Sequence, residues 1–151
     1  MVQFSIASDH GGLDLKKEMV TFFKEEGYTY VDHGTDSLQS VDYPDYAALV
    51  AKDIIEEQAQ WGVLICRSGI GISIAANKLK GIRAALIKLE DDAEYARRHN
   101  NANIICLGAK HTTAYLAKKF IKIFLSTPFD ADRHGIRIEK IRKMEQWPPN
   151  S

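Results

Sequence analysis

The chain has 151 residues, 45% of them hydrophobic, and its 20 acidic residues balance 20 basic ones. That length holds one domain with a real core and is short for two, and the apolar share excludes a disordered chain. The charge balance argues against a broad nucleic-acid or membrane surface, and with no apolar run of about 18 residues there is no membrane span.

Met1 to Ile6 carry neither the basic nor the long apolar region of an export signal, so a soluble cytoplasmic protein is expected. Cys66 and Cys106 show no metal-type spacing and are expected as reduced thiols. Residues 2–7 are a short apolar strand. Helical spacing follows over 13–26, with Leu13, Met19, Val20 and Phe23 on or near one face, and Gly27 is placed to end the helix at positive φ. Residues 28–31 read as a second strand. Pro44 sits where a helix can start, and the helix continues over 46–58. Residues 62–66 are continuously apolar, as in a strand buried on both faces. A helix is expected over 70–79, a strand over 82–87, and a helix opened by acids over 91–99. A strand over 103–107, a helix over 112–125 and a charged amphipathic segment over 132–146 complete the chain.

Repeated strand–helix alternation predicts an α/β fold: a three-layer, Rossmann-like, doubly wound sheet of five parallel strands with an additional C-terminal helix. A single domain over 1–146 and a frayed tail over 147–151 are expected. Ligands of such sheets bind beyond the carboxyl ends of the strands. That singles out Ser8-Asp9-His10, Asp32-His33, Cys66-Arg67-Ser68, Lys88 and Gly108 to Lys110.

The strongest motif is Cys66-Arg67-Ser68-Gly69-Ile70-Gly71, running from strand into helix. Its glycines allow a turn and a close approach of ligand to backbone, and its successive N–H groups favour an anion. The same field stabilises a thiolate. A thiolate beside an anion-binding loop suits proton removal next to a carbonyl, with the N–H groups holding the enediolate oxygen. The competing reading is a buried structural cysteine. The glycines make neither a dinucleotide fingerprint nor a phosphate loop of the nucleoside-triphosphatase type, which sets both of those functions aside.

Asp9-His10 pairs a carboxylate with an imidazole, and Asp9 is equally suited to cap a helix. His99 alone reads as a favourable charge at a helix C-terminus. His33 and His111 carry no supporting pattern and read as surface residues. Arg133 and Arg137, four apart, share a helix face and can either grip one phosphate or form a solvated basic face.

Taken in order, Ser8-Asp9-His10-Gly11-Gly12, Asp42-Tyr43-Pro44, Cys66-x-Ser68-Gly69-Ile70-Gly71-Ile72-Ser73-Ile74-Ala75-Ala76-Asn77-Lys78, Gly81-Ile82-Arg83-Ala84, His99-Asn100-x-x-Asn103 and Arg133-His134-x-x-Arg137 resemble the ribose-5-phosphate isomerase B family, which also holds galactose-6-phosphate isomerase subunits. The resemblance runs from Ile6 to about Ile141. It implies an aldose–ketose isomerase interconverting D-ribose 5-phosphate and D-ribulose 5-phosphate through an enediolate, in the pentose phosphate pathway. It implies Cys66 as the proton acceptor, the N–H groups of Arg67, Ser68, Gly69, Ile70 and Gly71 as the anion hole, and Ser68 as a hydroxyl helping the O1/O2 proton transfer. His99 matches the acid that opens the furanose ring, with Asp9 nearby. Tyr43 and Asn100 match sugar contacts, and His10, Arg133 and Arg137 match phosphate ligands. The resemblance implies no metal or organic cofactor. It implies a homodimer or homotetramer with sites at the subunit interface, to which a neighbouring chain gives His99 and Asn100.

One branch of that family uses this cysteine and another a glutamate six positions later. Position 72 is Ile, so the chain resembles the cysteine branch. Two residues depart from the pattern. Arg67 replaces a usual glycine, and Lys110 stands where an arginine phosphate ligand is usual, keeping the charge but not the bidentate fork. The alternatives are a hexose 6-phosphate isomerase acting on allose or galactose phosphates, and a non-catalytic sugar-phosphate-binding subunit. A thiol redox role is disfavoured by the absence of C-x-x-C.

Overall fold

A computed structural model describes residues 1–148. Strand β1 (Val2–Ser8) is followed by a short 3-10 turn (His10–Gly12) and helix α1 (Leu13–Glu25). Then come β2 (Tyr30–Asp32), α2 (Tyr43–Ile55), β3 (Ala59–Cys66), α3 (Ile70–Ala76), β4 (Ala84–Leu86), α4 (Glu90–Arg98), β5 (Ile104–Gly108), α5 (Ala114–Ser126) and α6 (Asp132–Met144). The five strands form one sheet in the order β2-β1-β3-β5-β4, and every neighbouring pair is parallel.

The period-two alternation of strands sorts the core into two layers. Phe4, Ile6, Val63, Ile65, Ile105 and Leu107 face α1, α4 and α5, where Phe23, Ala96 and Phe120 meet them. Ala7, Leu64, Cys66, Ile104 and Cys106 face α2 and α3, packing on Val50 and Ile72. Full burial of a large apolar side chain contributes roughly 1.5–3 kcal/mol, and the stacked rings of Phe4 and Phe23, 4.3 Å apart, anchor the first layer. β1 feeds a helix on one face and its neighbour β3 a helix on the other. Their carboxyl ends therefore bound the crevice where such sheets bind ligands.

The expected doubly wound sheet is present, and its element bounds differ for local reasons. β2 begins at Tyr30 rather than at 28 because Tyr28 turns its ring onto Phe4 and Phe22. α2 starts at Tyr43, with Pro44 in its first turn, and stops at Ile55. α3 ends at Ala76, not 79, because Asn77 turns its side chain onto the backbone of Ala84 (Nδ2 to O and N to Oδ1, both 2.8 Å). On α1, Val20 is only half-buried, whereas Leu15, Lys16 and Phe22 are buried. The Lys16 ammonium is sealed against Asp32 at 2.7 Å. His33, expected at the surface, is partly covered and meets Asp53 of α2 at 2.6 Å.

α6 lies along the amino edge of the sheet. Asp130 N–H donates to the Arg98 carbonyl at 2.9 Å, and Gly81 N–H to Glu145 Oε1 at 2.7 Å. Of the expected tail over 147–151, Trp147 N–H still bonds the Met144 carbonyl, and residues 149–151 lie outside the described region. Among the described residues no helix is long and apolar enough to cross a membrane.

Candidate active site

Cys66 closes β3 at the carboxyl edge and is 4% exposed. The chain then turns through Arg67 and Ser68 to Gly69, whose φ of +76° is left-handed and suits glycine. This turn aims Gly69 N–H at the Cys66 sulfur, 3.1 Å away, so the sulfur is held as an acceptor. Ile70 N–H caps onto Ser68 Oγ at 3.2 Å. The N–H groups of Arg67, Ser68 and Gly71 have no protein partner among the described residues and remain available to an anion.

β5 supports this loop from beside it. Ala109 N–H donates to the Cys66 carbonyl at 2.9 Å and Lys110 N–H to that of Arg67 at 3.0 Å. Contact is that close because position 108 is glycine: a Cβ there would overlap the Ser68 carbonyl. Lys110 and Arg67 are both exposed.

From β1 comes Asp9, 7% exposed, whose Oδ1 accepts from Gly11 N–H at 2.9 Å and Gly12 N–H at 3.1 Å. It caps the 3-10 turn, as its sequence position allowed, and Oδ2 stays free of these bonds. His10 Nδ1 accepts from Val41 N–H at 3.1 Å, which assigns the ring proton to Nε2. Tyr43 opens α2 with its ring against Gly71, where a Cβ would come within 2.6 Å of Cζ. Asp9, His10, Tyr43, the loop from Cys66 to Gly71, and Lys110 thus gather at the carboxyl edge.

His99, Asn100, Arg133 and Arg137 do not join them. A helix after a parallel strand runs back, so α4 ends at the amino edge, where His99 is its C-cap and β5 begins. Along β5 alone the two edges are separated by about 13 Å, four rises of ~3.3 Å. Arg133 and Arg137, both exposed on α6, lie on the His99 side, because His134 between them stacks on His99 with ring centroids 4.3 Å apart. Tyr95 covers the other face of His99 at 4.8 Å.

The turn bearing His99 and Asn100 is clamped. Arg97 donates to Asn101 Oδ1 and to the Ala102 carbonyl, both at 2.8 Å, and Arg83 Nε donates to the Asn101 carbonyl at 2.9 Å. A cavity of about 820 Å³ opens at this edge beside Asn100, between the end of α3 and Ile141 and Met144 of α6. The motif Arg133-His134-x-x-Arg137 gives no role to His134, and no side-chain pattern marks Val41, whose contribution is a backbone N–H.

The ribose/galactose isomerase family model matches residues 4–141. Ribose-5-phosphate isomerase B of Escherichia coli is 38% identical over 146 residues, covering 97% of this chain and 98% of the relative. A ribose 5-phosphate isomerase structure from Thermotoga maritima superposes with a TM-score of 0.92 at 48% identity, covering 94% of this chain and 98% of the other. The Mycoplasma genitalium ribose-5-phosphate isomerase B structure with bound ribulose-5-phosphate does so with a TM-score of 0.91 at 40% identity, covering 96% and 97%. A buried cysteine at the switch of a five-stranded parallel sheet, matched over nearly its whole length to such proteins, places the chain in the ribose/galactose isomerase family.

Proposed function

We propose that residues 1–146 form one catalytic domain that interconverts D-ribose 5-phosphate and D-ribulose 5-phosphate. The observation that carries this reading is the Cys66 sulfur at the carboxyl edge, held by Gly69 N–H beside the open N–H groups of Arg67, Ser68 and Gly71. In the open-chain aldose, Cys66 removes the C2 proton. The electron pair forms the C1–C2 double bond, and the carbonyl π electrons move to O1. The N–H groups hold the resulting enediolate oxygen, a contribution of ~2.7–4 kcal/mol per donor in comparable sites. Cys66 returns the proton to C1 while the Ser68 hydroxyl passes the remaining proton from O2 to O1, leaving the ketone at C2. Tyr43 contacts the sugar, and His10 Nε2–H and Lys110 face the phosphate.

Ring opening needs an acid at the ring oxygen and an acceptor for the anomeric hydroxyl proton, while C1–O4 breaks. Asp9 is the acceptor, and the acid is His99 of the partner subunit, because within one protomer His99 stands at the opposite sheet edge. A two-fold pair brings each carboxyl edge to the other's amino edge and completes two sites at once. Asn100, Arg133 and Arg137 of the partner subunit then join the substrate. Ile70 and Ile74, 48% and 57% exposed on α3, supply apolar area for that contact. The protein works as a soluble cytoplasmic homodimer, or as a homotetramer of such pairs.

The test is ribulose 5-phosphate formation by the purified chain, wild type beside Cys66→Ala, without added metal or cofactor. Wild-type turnover lost in the variant is expected. An inactive wild type moves the reading to six-carbon phosphates, and an active Cys66→Ala removes the base assignment.

A further inference from the structure

We propose that His134 is a positioning residue for His99, holding its imidazole so that only the ring edge is free to meet the sugar. The proposal rests on the isomerase reading above, in which His99 is the ring-opening acid. The two imidazoles lie face to face, 4.3 Å apart with their planes 20° from parallel, and the phenol of Tyr95 covers the opposite face of His99 at 4.8 Å and 9°. A ring covered on both faces cannot tilt. Its nitrogens lie in the free edge, and a proton donor acts along the ring plane.

The two covers are not equivalent. Tyr95 stands four residues before His99 on the same helix and moves with it. His134 comes from α6, the helix that carries Arg133 and Arg137, so its stack fixes the acid relative to those cations. It is 5% exposed and is the one buried residue of α6 among those described. An aliphatic residue would serve a helix anchor as well; a flat ring is what serves an imidazole. Burial, followed by the nearby His99, Arg133 and Arg137, holds His134 below the usual histidine range, with Asp130 opposing. The face presented to His99 is therefore a neutral one, which tolerates a protonated partner where a second cation would repel it.

The experiment compares His134→Ala and His134→Phe in two reactions. One is net turnover of ribose 5-phosphate, which starts from a closed ring. The other is Cys66-dependent deuterium incorporation from D2O at C1 of ribulose 5-phosphate. That ketose is open-chain because its O5 is esterified, so exchange needs no ring opening. In His134→Ala, kcat/KM for ribose 5-phosphate is expected to fall about tenfold or more, part of the 10²–10⁴ that a placed acid contributes. Deuterium exchange is expected to stay within about twofold, and His134→Phe, which keeps the stack, to restore aldose turnover to within about threefold of wild type. Parallel loss of both reactions in His134→Ala, no loss in either, or a phenylalanine variant as slow as the alanine one would overturn the assignment. A wild type that neither isomerises nor exchanges would instead overturn the isomerase reading, and this one with it.

Discussion

The backbone N–H of Val41 donates to His10 Nδ1 at 3.1 Å, joining the segment before α2 to the turn after β1. The bond leaves His10 with its proton on Nε2, the nitrogen available to an anionic ligand. Val41→Pro deletes that N–H and Val41→Ala keeps it. A neutral hydrogen bond contributes ~0.5–1.5 kcal/mol, so the proline variant is expected to raise KM for ribose 5-phosphate by about 2–10-fold with kcat little changed. Alanine should behave as wild type. Steady-state kinetics decide it, and an equal rise in KM for both variants would remove the N–H from the account.

The proposed division of the site between the sheet edges of two protomers predicts complementation. Cys66→Ala and His99→Asn proteins should each be nearly inactive alone. Mixed after denaturation and refolding, random pairing makes half of the dimers hybrid, each with one intact and one doubly defective site, so activity should recover to about a quarter of wild type. A mixture as inactive as its components would place Cys66 and His99 in the same protomer's site, or outside any shared one.

Two exposed cations, Arg67 within the proposed catalytic loop and Lys110 beside it, are expected to differ in effect. Lys110→Ala should raise KM for the phosphorylated sugar more than it lowers kcat, since a lysine acts on phosphate as a point charge. Arg67 is already accommodated with its carbonyl bonded to Lys110 N–H, so Arg67→Gly should change kcat by less than about threefold. A large gain in Arg67→Gly would mean that the side chain obstructs the anion hole, and an unchanged KM in Lys110→Ala would free that residue from phosphate binding.

Lys16 is a stability residue. Its ammonium meets Asp32 at 2.7 Å with a side-chain exposure of 2%. Asp32 keeps a quarter of its side chain exposed and can be rehydrated when the ammonium is removed, so the loss stays below the ~3–5 kcal/mol of a fully buried pair, and an apolar residue of similar volume keeps the packing of the buried stem. Urea denaturation of Lys16→Ala should show a loss below about 3 kcal/mol, and Lys16→Met a distinctly smaller one. Equal losses would show that the lost ion pair, not the packing of the Lys16 stem, sets the effect.

The fold was legible because each buried strand announces itself locally: the apolar run ending at Cys66 needs no partner in order to be read. The turn from Cys66 to Gly71 was legible because its glycines and cysteine are adjacent in the chain. What escaped depends on tertiary contact. Nothing in the sequence sets Lys16 apart from a solvated lysine before it is seen buried against Asp32, and His33 reads as a surface residue until Asp53 of α2 reaches it. His134 is 35 residues beyond His99, and no periodicity links them; their relation exists only once α6 lies beside the end of α4. Val41 contributes a backbone group, which no side-chain pattern can reveal.

With the proposed base and acid on opposite edges, an isolated protomer owns two half-sites and no whole one. Specific activity should then scale with protein concentration below the dissociation constant of the pair and reach a plateau above it. Synthesis of the chain and the onset of its chemistry become separate events. In the proposed shared site, a newly folded copy would carry its thiol in place but turn over no closed-ring sugar until it met a second, so the number of complete sites would follow roughly the square of expression when copies are scarce.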